Sequence, residues 1–162
     1  TARRQPWYKN TIFVLTADHT SLSTHEEYQT PLGRFRVPII FFDPSGDMKP
    51  GRRPGIAKQI DIMPTLLGYL GFQHPFVAFG NDPATLNYEV AYLNGIYVFA
   101  QGDYVLLFDG TQTTGVFDYK KDRLMVHNLK GCVPQQAAME RLLKAIIQSY
   151  MQRMLTDQLT VK

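Results

Sequence analysis

The residue types that could do chemistry are concentrated where an apolar run at residues 12–16 gives way to Ala17-Asp18-His19. An aspartate and a histidine side by side are a natural ligand pair for Zn, Mn or Fe. The carboxylate brings the charge that holds a hard cation, and the imidazole adds affinity and geometry. Thr20, Ser21, Ser23 and Thr24 follow, then His25-Glu26-Glu27. Such residues hydrogen-bond their own backbone, so this stretch predicts a loop that walls a site, with His25 as a further metal or substrate ligand. An Asp after a strand also serves as a turn or helix cap, and a loop histidine also sits in solvent. The dipeptide alone does not decide between these roles.

Two elements must position the pair. The apolar runs at 12–16 and 37–42, the second ended by Asp43-Pro44-Ser45-Gly46, predict strands buried on both faces, as in a parallel α/β sheet. Asp18-His19 then falls at a strand's C-terminal end, where open α/β sheets place their chemistry. Pro38 fits the beginning of the second strand. The stretch between the runs has no long helical pattern, which predicts an irregular connection. Residues 60–70 predict a helix, with Ile62, Met63, Leu66, Leu67 and Leu70 on one face, Asp61 as N-cap, Pro64 in the first turn and Gly71 as the stop. Residues 72–87, with Gly80-Asn81-Asp82-Pro83, read as a long loop.

The period then changes to two. Residues 88–93, 96–100, 104–108 and 115–119 predict an antiparallel meander, turned by Asn94-Gly95, Gly102-Asp103 and Asp109-Gly110. Its Tyr and Phe side chains read as sheet packing. From Pro134 to about Gln158, apolar residues recur at helical spacing, and the helix they predict covers the meander.

A chain of 162 residues with 44% hydrophobic and 19% charged residues fits one domain with a real core. A net charge of +3 is too weak to argue for nucleic-acid binding; Lys49, Arg52 and Arg53 read as a proline-interrupted solvated loop, with an anionic substrate or lipid head group as the alternative contact. Cys132 is the only cysteine, so neither an internal disulfide nor a cysteine metal cluster can form. No apolar run approaches the length of a membrane span, and Thr1 does not open a signal peptide. The chain starts without Met and enters a strand within a dozen residues, which predicts a fragment whose upstream part is missing.

Taken together, Ala17-Asp18-His19, the Val37-Pro38-Ile39-Ile40 strand and the run from Gln59 through Asp61-Ile62-Met63-Pro64-Thr65 to Leu67 resemble the C-terminal half of a sulfatase-type domain of the alkaline phosphatase superfamily. Asp118, Asp122 and Asn128-Leu129 have the spacing of that family's sheet-to-helix segment, with Arg123 and Met125 departing from its pattern. Thr20 after the His, where arylsulfatases more often have Gly, shifts the resemblance toward lipoteichoic acid synthase-like phosphoglycerol transferases. The resemblance implies an α/β fold, the C-terminal part of an alkaline phosphatase-like α/β/α sandwich. Residues 1–87 would belong to its central core, and residues 88–162 would add a small antiparallel sheet and a long helix to the same domain.

In that family a Thr, Ser or formylglycine nucleophile on a divalent metal attacks a phosphate or sulfate ester. The resemblance makes Asp18 and His19 metal ligands for Mn, Zn, Ca or Mg and places the nucleophile upstream of Thr1, so this chain supplies no catalytic residue. The implied partners are the other half of the domain and an ester substrate, such as a lipid head group or glycan. The implied location is extracytoplasmic, on a bacterial cell envelope, with the parent anchored in the membrane. The alternatives are an arylsulfatase fragment and a non-catalytic interaction domain that kept the fold.

Overall fold

The computed structural model describes residues 1–20, 24–80 and 87–161. The predicted loop residues Ser21, Ser23, Asn81, Asp82 and Pro83 lie outside this set. Strand β1 (Phe13–Thr16) pairs with β2 (Ile39–Phe42), and helix α1 (Ile62–Tyr69) follows a 3-10 turn over Gln59–Asp61. Strands β3 (Tyr88–Leu93), β4 (Ile96–Gln101), β5 (Tyr104–Phe108) and β6 (Thr113–Asp118) form a second sheet, and α2 (Gln136–Leu155) ends the fold.

The predicted meander forms, in the order β3-β4-β5-β6, with every neighbour antiparallel. Asn94 and Gly95 both take positive φ, 52° and 84°, as the two-residue turn between β3 and β4 requires. Alternation sends the sheet's apolar side chains to two faces, and both faces are covered. On one face Phe99, Leu106, Phe108 and Val116 pack against Met139 and Leu143 of α2. On the other, Val98, Ala100, Val105 and Phe117 pack against Leu32, Phe35 and Ile56 from the first half of the chain. The tyrosines and phenylalanines serve the sheet as predicted: Tyr88 lies 5.8 Å from Phe99, ring to ring.

Asn128 and Leu129 extend the edge of β6. The Val116 N–H donates to Asn128 Oδ1 and the Leu129 N–H to the Val116 carbonyl, at 3.1 and 2.7 Å. Asp118 Oδ1 accepts from the Lys120 and Lys121 amides and closes the turn after β6. Helix α1 stops at Gly71 (φ 68°), whose conformation lets the Phe72 N–H reach the Leu67 carbonyl.

The first sheet corrects the prediction of a parallel pair buried on both faces. Strand β1 runs antiparallel to β2, with Phe13 opposite Phe42 and Leu15 opposite Ile40. The cause is the connection. Short 3-10 turns over Glu26–Gln29 and Gly33–Phe35 bring the chain back at the end of β1 it has just left, whereas parallel pairing needs a crossover to the far end. Directly opposed residues share a face, so Phe13, Leu15, Ile40 and Phe42 line one side of the ribbon, and the last three are exposed. Trp7 and Tyr8 cover only Phe13.

Candidate metal pair at the end of β1

Three hydrogen bonds shape the chain just past β1. The Gln59 side-chain amide donates to the Ala17 carbonyl, the Thr20 hydroxyl donates to the Arg34 carbonyl at 2.9 Å, and the His19 N–H donates to Asp18 Oδ1 at 2.9 Å. The first ties the strand end to the turn before α1. The second ties the loop to the segment leading into β2. The third turns the aspartate back over its own backbone.

The imidazole completes the arrangement. His19 Nδ1 lies 2.8 Å from the Thr20 carbonyl, which can only accept, so Nδ1 carries the hydrogen. In the neutral ring Nε2 is then a bare lone pair, and it faces Asp18 Oδ2 at 3.4 Å. Two ligands about 2.1 Å from one tetrahedral metal ion lie roughly 3.4 Å apart. The gap fits a divalent cation, and a proton on Nε2 would occupy the same place as an ion pair. A ligating histidine whose other nitrogen donates to a backbone carbonyl is the usual outer-shell arrangement. Both side chains are largely exposed, so the pair is open to whatever approaches β1 from solvent.

His25 stands apart from this pair. It precedes the Glu26–Gln29 turn, is exposed, and meets the Tyr28 ring edge-on at 6.4 Å between centroids. Among the described residues no group of three or more His, Cys, Asp or Glu side chains is placed to hold a metal. The structure therefore brings together Asp18 and His19 and does not add His25 to them. Asp18 and His19 are two donors where a tetrahedral site needs four.

Sequence reasoning missed Gln59 as the residue that grips the strand end, and it missed the buried charges on either side of that grip. Lys58 and Asp61 are 4% exposed and form an ion pair at 3.2 Å. Glu89 of β3, half-buried, is near enough to feel both charges. One signal was available: Glu89 is a charged residue on the face of β3 that it shares with apolar Ala91 and Leu93.

Residues 1–72 match the family model described as Sulfatase. A protein in the alkaline phosphatase superfamily from Vibrio parahaemolyticus superposes on 99% of this chain with a TM-score of 0.78 and 17% identity. That residue-level likeness is low, and the shape agrees closely. The fold is that of the matching part of that Vibrio protein. A protein proposed as a sulfatase from Bacteroides thetaiotaomicron matches 92% of this chain with a TM-score of 0.56 and 21% identity. This chain spans 39% and 38% of the length of those two proteins. No curated protein sequence matches it. The sulfatase-like stretch holds β1, Asp18, His19, β2 and the whole of α1. Among the described residues, no helix is long and apolar enough to cross a membrane.

Proposed function

We propose that this chain is the C-terminal part of a metal-dependent sulfatase-like enzyme acting on phosphate or sulfate esters. In this reading Asp18 and His19 supply two of the metal ligands. The observation that carries it is the opposition of Asp18 Oδ2 and His19 Nε2 at 3.4 Å, within residues that match the sulfatase family model. A bound divalent cation would lower the pKa of a nucleophile and neutralise charge on the transferred group. Asp18 contributes formal charge to that centre. His19 contributes a lone pair whose direction is fixed by the Thr20 carbonyl, and Gln59 keeps the strand end from swinging.

The nucleophile and the remaining ligands come from the rest of the α/β domain, which seats on the exposed apolar face of Leu15, Ile40 and Phe42. Two observations support that occupant: this chain spans well under half of the proteins it superposes on, and three large apolar side chains stand exposed on one face of the ribbon. The more specific reading is a phosphoglycerol transferase on a bacterial envelope, tethered by a membrane anchor elsewhere in the parent and using a lipid head group or glycan ester. Thr20 directly after His19 supports it over an arylsulfatase. His25, six residues after His19 in the sequence, is the candidate for contacting substrate.

The test is metal and turnover together. The chain alone is expected to bind Mn weakly and to show no phosphodiesterase or sulfatase turnover with added Mn, Zn or Ca. In the parent enzyme, Asp18→Ala and His19→Ala are each expected to lose bound metal and activity in parallel. A parent that keeps both with either substitution refutes the ligand assignment. A non-catalytic interaction domain that kept the fold is the second reading. Metal analysis of the intact parent separates the two, because a binding module needs no metal.

A further inference from the structure

The turn that grips β1 is itself held by buried charge. Lys58 Nζ pairs with Asp61 Oδ1 at 3.2 Å, donates to the Tyr88 carbonyl at 3.0 Å and lies 4.0 Å from the Tyr88 ring centre. The Lys58 N–H donates to Asp61 Oδ2 at 2.8 Å. The Ile56 N–H donates to Asn87 Oδ1 at 2.6 Å and fastens the same segment one residue before β3. Lys58 is thus committed to Asp61 and Tyr88. Glu89, the next residue on β3, keeps Oε2 buried with no hydrogen-bond partner among the described residues. Its neighbour on β4 is Ala100, which offers neither charge nor donor. Between Lys58 and Asp61 sits Gln59, whose amide holds the Ala17 carbonyl and approaches Thr16 Oγ1 at 3.5 Å.

We propose that Lys58, Asp61 and Glu89 form a proton-sensitive clasp that seats the Gln59–Asp61 turn on β3, making Gln59 a positioning residue for the Asp18–His19 end of β1. One cation between two carboxylates is balanced when one carboxyl carries a proton. Glu89 is the one with a buried oxygen that no donor meets, and burying charge on such an oxygen is far more costly than keeping the acid neutral. Burial pushes the Glu89 carboxyl up to about 7; Lys58 opposes the rise and Asp61 adds to it. Among the described residues, Lys58 and Asp61, at the two ends of the turn, are the charges that act on it. When Glu89 ionises, its charge draws on Lys58 in competition with Asp61 and the Tyr88 carbonyl, and the turn that carries Gln59 loosens. The link to metal binding rests on the site reading above; the clasp itself does not.

The experiment is a carboxyl and side-chain amide NMR titration of the chain from roughly pH 5 to pH 9, without metal. The Glu89 carboxyl is expected to titrate with a midpoint near 7, and the Gln59 side-chain amide to shift with the same midpoint. In Glu89→Gln, which keeps the shape, the Gln59 shift is expected to be flat. A Glu89 midpoint near the ordinary 4.5, or a Gln59 shift unchanged by Glu89→Gln, overturns the clasp. The carboxyl measurement needs no variant, so a misfolded mutant cannot obscure it. Line broadening of His19 by added Mn is read separately: its absence refutes the metal site and leaves the clasp result standing. Broadening alongside a Glu89 midpoint of 4.5 does the reverse.

Discussion

At the scale of single residues, Glu89 makes the sharpest claim about stability. Its folded pKa is raised above the unfolded value, so the folded chain holds a proton that the unfolded chain has lost between pH 4.5 and about 7. Stability from this group is whole below the lower value and declines as pH rises through the upper one. The loss by alkaline pH is on the order of 3 kcal/mol. Glu89→Gln is therefore expected to raise the melting temperature at pH 8 and to leave it nearly unchanged at pH 5. Melting curves at the two pH values check this, and an equal shift at both would remove the titration from the account. Gly33 makes a steric claim at the same scale. A β-carbon there would fall 1.8 Å from the Glu27 carbonyl oxygen, with backbone on one side and Thr30 on the other. Gly33→Ala is expected to cost about 1–3 kcal/mol as an overpacking change, measurable by denaturant unfolding.

At the scale of elements, the meander and its helix were legible because their signals are local. Period-two alternation, Asn94-Gly95 and a repeating apolar stripe each act within a few residues, and β3 and β5 begin and end where the pattern puts them. The pairing of β1 with β2 was not legible in the same way. An apolar run such as Phe13–Thr16 reports that a strand is apolar, and it says nothing of whether anything covers its second face. The second cover of the meander, by Leu32, Phe35 and Ile56, is likewise a long-range contact with no periodic trace. At the site, Asp18 and His19 stood out as neighbours in sequence. Gln59 and the Lys58–Glu89 association required chain segments far apart to meet. Within the meander, Phe99 is fully buried between Tyr88 and the α2 face. Phe99→Ala is expected to cost about 3–5 kcal/mol, whereas Tyr92→Ala at the exposed edge of β3 should cost far less. Comparative unfolding of the two variants is the check.

At the scale of the whole molecule, the two sheets differ in what they leave open. The meander is covered on both faces, while the ribbon shows Leu15, Ile40 and Phe42 to solvent, and the tail of α2 adds Tyr150, Met151, Met154 and Leu155. Exposed apolar surfaces of this kind favour association. The chain alone is expected to self-associate with rising concentration, and Ile40→Lys with Phe42→Lys should shift it toward monomer in sedimentation experiments. The same pair of changes in the parent should weaken the seating of the rest of the domain. A parent unaffected by both would place that partner elsewhere.

The order of the sheets along the chain also bears on the sequence of events during folding. Strands β3 to β6 pair only with their neighbours in sequence, through short turns, and α2 follows within a short stretch of chain. Contacts so local form early, because little loop entropy must be surrendered before they begin to stabilise one another. Strand β1 finds β2 only after the irregular segment between Thr16 and Ile39 has closed, and Gln59 reaches Ala17 across a still longer stretch of chain. The strand end bearing Asp18 and His19 is accordingly the last part to assemble and the first to open. Amide exchange should show this as a gradient, slow across β4 and β5 and fast across β1.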